Sequence, residues 1–415
     1  MTVEAPVFEE TPQQVEPARG AMDWVRKNLF NNWYNSLLTV VLAGLVVWAV
    51  VALIRGLLSA DYEIIRANLR LFMIGGFPGD QLWRPWAATY CWAVMFGFLG
   101  GSLAAAARDR ATEAGLPYVR TTFRQILIRY WPILVLIVVI LSFTTTITPT
   151  LLTIGALAAA LGSYYLGRIL PRAVRRWTWL IVTLLIAASY VALAGFGGIG
   201  WQLWGGLHLN LFLTFAGILV AFPFGLLLAL GRRSSLPVIR TISVTYIELV
   251  RGVPLITMLI FGAFAIGFLI PRDIRPGFVT RMLIAIIAFE AAYIAEVVRG
   301  GLQAVPRGQV EAAHAVGLAP WKTMRLIVLP QALRATIPAM VGQFISLFKD
   351  TTLVAVLGIT ELLDATFIVN TQTAFLGKGL FVVTLSFAAL VFWVGSFTMS
   401  RESRRLERKL GVGER

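Results

Sequence analysis

The chain has little of what most reaction chemistry requires. Its 415 residues hold one cysteine, Cys91, which excludes an intrachain disulfide and leaves no thiolate set for a metal. The two histidines, His208 and His314, cannot form a metal site on their own. No G-x-x-x-x-G-K-[ST] segment is present to cradle nucleotide phosphates, and no cluster of catalytic groups stands out. The sequence therefore predicts no catalytic residue, no metal and no cofactor on this chain. Charge is scarce too: 14% of residues are charged, against about 25% in an ordinary soluble domain.

What is present is mostly apolar. Hydrophobic residues make up 58% and the mean hydropathy is +0.78. A net charge of +15 suggests nucleic acid in a soluble protein, but here the basic residues cluster in short segments between apolar spans. That pattern fits anionic lipid headgroups and membrane orientation, not nucleic acid.

Crossing a bilayer takes about 20 apolar residues. The sequence predicts an all-α membrane protein of about ten transmembrane helices, near 35–54, 86–107, 130–147, 150–168, 178–196, 208–230, 242–270, 280–298, 336–357 and 380–400. Arginines follow the even-numbered spans: Arg108 and Arg110 the second, Arg172 and Arg175 the fourth, Arg232 and Arg233 the sixth, Arg401 and Arg405 the tenth. If the spans alternate, these lie on one side and both termini face the cytoplasm of a bacterial inner membrane. Arg272, Arg275 and Arg281, after the seventh span, go against that rule.

Four regions are expected. Residues 1–27 are polar and read as a disordered cytoplasmic tail, with no basic start leading into a short apolar core as a signal peptide has. Residues 28–200 form an extension of about five helices, 201–400 a second five-helix unit, and 401–415 a basic cytoplasmic tail. The stretch 55–85 reads as a periplasmic excursion with no structure assigned, its turns marked by Gly75-Gly76 and Pro78-Gly79, and 144–150 as a tight hairpin.

The stretch from Pro306 to Pro330 interrupts the apolar spans with Ala, polar and basic residues. Gln309 to Val316 reads as a short helix, with Gly317 where a left-handed cap falls. Ala319 to Leu329 restarts as a second helix, which Pro330 is expected to stop. Leu318, Trp321, Met324, Ile327 and Val328 would share an apolar face.

Glu311-Ala312-Ala313, then Gly317, then Leu329-Pro330, resembles the EAA loop of ABC importer permeases, which docks on a cytoplasmic ATPase. Tyr246 through Leu255, Ala292 through Gly301, and Lys349-Asp350-Thr351-Thr352-Leu353 resemble other signatures of the polar-amino-acid branch. The five spans ahead of this unit resemble the larger membrane subunit of general L-amino-acid importers. The resemblance implies a permease subunit that lacks ATPase activity, and import of amino acids, neutral polar or acidic. It also implies four kinds of partner: two copies of an ATPase carrying ATP and Mg, a second homologous permease, a periplasmic amino-acid-binding protein, and the lipid membrane. The alternative is a stand-alone ion-coupled secondary carrier, which needs no docking loop and is expected to show inverted repeats.

Intramembrane charges are costly, about 2.5–3.5 kcal/mol at the bilayer centre, and so are paired or functional. Glu248 and Arg251 are three residues apart, as are Glu296 and Arg299, so each pair reads first as an ion pair and second as substrate-path residues. Asp350 and Thr352 are assigned to the substrate path. Gln343, seven residues before Asp350, shares its helix face about 10.5 Å away along the axis and joins them. Relatives that import arginine-type substrates commonly carry glutamate at the position of Gln343, so an amide here points away from cationic substrates.

Overall fold

The computed structural model describes residues 20–118, 122–195 and 203–411. The first part of the 1–27 tail and most of the expected boundary near 197–206 lie outside them. Two units are present, divided after Ala60.

In the first unit, α1 (Ala21–Leu29) precedes α2 (Trp33–Leu58). Apolar all round and 26 residues long, α2 reaches about 39 Å, enough to span the hydrocarbon. The Thr39 hydroxyl donates to the Leu29 carbonyl at 2.9 Å and ties the two helices together.

In the second unit, the 55–85 stretch, given no structure from sequence, contains α3 (Glu63–Ile74). Ile64, Ile65 and Phe72 are buried while Arg66 and Arg70 are exposed, a helical period too short to stand out among longer spans. The extension continues with α4 (Trp83–Glu113), α5 (Phe123–Ser142), α6 (Thr148–Ile169), the single turn α7 (Arg172–Arg175) and α8 (Thr178–Ala194). Helices α4 and α6 meet backbone to backbone. A Cβ on Gly97 would lie 2.1 Å from the Ala160 carbonyl oxygen, and one on Gly101 2.0 Å from that of Tyr164. This four-residue glycine spacing is how lipid-embedded helices gain close packing.

The rest follows as α9 (Gly206–Arg232), α10 (Pro237–Arg251), α11 (Leu255–Ile260), α12 (Ile266–Leu269), α13 (Phe278–Ala304), α14 (Arg307–Ala315), α15 (Pro320–Thr323), α16 (Leu329–Asp350), α17 (Leu362–Asn370) and α18 (Phe381–Leu410). The fold is all-helical. Among the described residues, eight helices are long and apolar enough to cross a membrane, nine if the bent pair Pro237–Arg251 and Leu255–Leu269 is one span. Thr178–Ala194, with 17 residues, is the shorter tenth apolar segment. The bent pair turns by 107° at Gly252–Pro254, where proline cannot continue the hydrogen-bond ladder.

Contacts between helix ends sort the bundle into two ends. At one, Asp109 of α4 pairs with Arg172 and Arg175, Arg129 of α5 with Glu402 of α18, and Arg233 donates to the Leu302 carbonyl of α13. At the other, Asn68 of α3 accepts from Gln372 at 2.7 Å, and Gly206 pairs with Thr360 and Glu361. The arginines that break the charge rule are taken up locally: Arg281 donates to the Ala263 carbonyl and Arg275 to that of Ile270.

Candidate coupling loop and intramembrane polar site

The Pro306–Pro330 stretch folds as a helical hairpin. Helix α14 ends in a Schellman motif: Leu318 N–H donates to the Ala313 carbonyl at 3.0 Å and Gly317 N–H to that of His314 at 2.9 Å, with Gly317 at φ +80°. A Cβ on Gly317 would meet nothing within 4 Å, so the constraint on this residue is its backbone angle alone. Ala313 is buried, while Glu311, Ala312 and Val316 are exposed.

Two expectations for the hairpin are corrected. Pro330 does not stop the second helix. A π turn over Met324–Val328 widens the backbone, so Pro330 falls in the first turn of α16, where its missing N–H costs no bond. The coupling segment is thus continuous with a membrane span. The single apolar face also divides: Val328 is buried, but Trp321 is 61% exposed, with exposed Val316 and Leu326 near it in sequence. The wider π turn changes the angular spacing on which that face was drawn. The outcome is an apolar surface set among Lys322, Arg325 and Glu311, as suits a protein partner.

A further correction concerns the ion pairs. Glu296 and Arg299 pair as expected, but Glu248 and Arg251 do not pair with each other. Glu248 meets Arg232 at 2.9 Å, and Arg251 turns to Glu296 at 3.5 Å; Arg232 also approaches Glu296, at 3.7 Å. Cross-helix partners at the end of α9 outcompete the in-helix neighbour. Arg232 was absent from the expected site because it reads as a flanking charge.

The other polar site lies in the middle of α13. Glu290 is 1% exposed and accepts from the Gln343 amide at 3.1 and 3.3 Å. Asp350, half-buried, lies seven residues further along the helix face of Gln343. Thr352, in the 3-10 turn that follows α16, spends its hydroxyl on the Lys349 carbonyl at 2.8 Å. Glu290 was missed from sequence, although an acid at the middle of Phe278–Ala304 is a signal for function in a span. It stands six residues, about 9 Å, from Glu296. Gln343 and Asp350 thus belong to one site and Glu248 and Arg251 to another. Among the described residues no group of His, Cys, Asp and Glu is arranged to hold a metal.

The described residues form a multi-pass helical bundle, one end of which carries an exposed helical hairpin continuous with a span. Residues 221–412 match the family described as binding-protein-dependent transport system inner membrane component. The chain is 35% identical over 413 residues to the inner membrane amino-acid ABC transporter permease protein YhdY of Escherichia coli (strain K12), covering 95% of this chain and 94% of that one. It is 36% identical over 422 residues to the glutamate/glutamine/aspartate/asparagine transport system permease protein BztC of Rhodobacter capsulatus, covering 94% of each. The probable glutamine permease protein GlnP of Bacillus subtilis is 36% identical over 206 residues, 49% of this chain and 92% of that one. The chain belongs to the binding-protein-dependent transport system inner membrane component family. It is a permease subunit, which sets aside the stand-alone ion-coupled carrier.

Proposed function

We propose that this chain is the larger permease of an amino-acid importer powered by ATP hydrolysed on separate cytoplasmic subunits. The exposed hairpin α14–α15 carries this reading, since Val316, Trp321 and Leu326 on it stay exposed among the described residues. Two ATPase copies would hold ATP and Mg and dock there, through Glu311, Ala312, Ala313 and Gly317, with Leu329 and Pro330 leading the motion into α16. A second, homologous permease would complete the pore, and a periplasmic binding protein would deliver substrate. The loop end would face the cytoplasm with both termini, as the arginines at that end favour. The names of the two full-length relatives support amino acids as cargo, one of them acidic amino acids and their amides.

Asp350, Gln343 and Glu290 would then line the substrate path. The Glu290 carboxylate, bonded to the Gln343 amide, can counter an α-ammonium group, and the amide adds no further negative charge to select a cationic side chain. Glu248 and Arg251 would belong to the gate at the cytoplasmic end. Uptake in cells depleted of ATP, with ion gradients held, is expected to stop. Uptake that persists under those conditions and collapses with the ion gradient would contradict the proposal.

A further inference from the structure

The cluster at the cytoplasmic end of α9 and α13 is charged beyond what ion pairing requires. Arg232, Arg251 and Arg299 share two carboxylates, Glu248 and Glu296, and Arg233 adds a fourth guanidinium. Arg233 makes a single long bond, 3.3 Å, to the Leu302 carbonyl, leaving most of its five donors unused. Arg232, Arg233, Arg299 and Gln303 line a cavity of about 270 Å³. Arg233, with donors to spare at a small cavity it shares with Arg232 and Arg299, suits the oxygens of a phosphate group, which accept guanidinium donors two at a time.

Depth indicates where that phosphate comes from. Helices α9 and α13 are each 27 residues long, about 40 Å, so their ends pass the hydrocarbon of about 30 Å and reach headgroup level. Arg232 is the last residue of α9. Just beyond Arg233, Leu236, Val238 and Ile242 are all more than half exposed, an apolar surface fit for acyl chains.

We propose that this cavity binds a phosphate group, supplied by an anionic phospholipid of the leaflet on the coupling-loop side. The lipid would neutralise the excess guanidinium charge where the ion-paired gate meets the membrane. The site is independent of which amino acid is carried.

The assembled importer, with its partner subunits, is titrated with phosphatidylglycerol or phosphatidylcholine and the retained lipid is counted by native mass spectrometry. A parallel titration with inorganic phosphate tests a free anion as the source. Wild type is expected to hold phosphatidylglycerol in preference to phosphatidylcholine. Arg233→Gln should weaken that retention about fivefold, the worth of one arginine at a membrane surface. Arg240→Gln, which removes an exposed arginine outside the cavity, should leave retention unchanged. Gln303→Glu, which adds a negative charge without touching an arginine, should weaken it as well. Arg233-dependent binding of inorganic phosphate but not of lipid would keep the phosphate site and assign it to a free anion. Equal retention in wild type and both cavity variants, or an equal loss in Arg240→Gln, would overturn the proposal.

Discussion

Gly317→Val is expected to leave the protein inserted and assembled while reducing ATP-driven uptake about tenfold. Gly317 sits at φ +80°, where an L side chain costs about 1–2 kcal/mol and a β-branched one more. A penalty of that size is enough to change the populated form of the hairpin by an order of magnitude. The space around the residue is open, so a clash does not explain the loss. Gly317→Asn, which tolerates the left-handed region, should retain most of the uptake. The check is uptake per assembled complex alongside ATPase rate. Wild-type uptake by a well-expressed Gly317→Val variant would show that the Schellman turn does not matter for coupling.

The second large effect concerns selectivity. Gln343→Glu would set a second carboxylate about 3 Å from Glu290, in a span where water cannot screen the pair. A cationic substrate relieves that repulsion, so arginine and lysine should compete for uptake about tenfold better than they do against wild type. The exchange Glu290→Gln with Gln343→Glu restores one carboxylate and one amide and should return the profile to wild type. An unchanged profile in the single variant, with uptake intact, would remove Gln343 from the path. A double variant that stays as cation-selective as the single one would remove Glu290.

Most of the fold could be read from the sequence because lipid imposes a simple rule. Ten apolar runs were expected, and each is helical, the seventh broken at Gly252–Pro254 where proline interrupts the hydrogen-bond ladder. Helix α3 escaped because twelve residues make too short a run beside spans twice that length. The coupling loop was legible because its requirements are local: a helix end, a left-handed glycine, a restart at Pro320. Its continuation into α16 was not, since a proline reads as a stop unless the π turn ahead of it is known.

The polar sites divide in the same way. Glu296 with Arg299 is a sequence neighbour pair and was found. Arg232 with Glu248 joins α9 to α10, and Gln343 with Glu290 joins residues 53 apart, so neither pairing is visible in one dimension. The interaction favoured between near neighbours was replaced wherever a cross-helix partner came closer.

The hairpin as the contact with an ATPase subunit is tested most directly by cross-linking. The chain's one cysteine permits a clean background: Cys91→Ser, then Val316→Cys on the exposed loop or Lys378→Cys, which follows α17 at the opposite end. In the assembled importer, a short thiol cross-linker should join Val316→Cys to the ATPase and abolish uptake, while Lys378→Cys gives no such product. Cross-linking of Lys378→Cys to the ATPase, with Val316→Cys unreacted, would place the ATPase at the wrong end of the bundle and contradict the account.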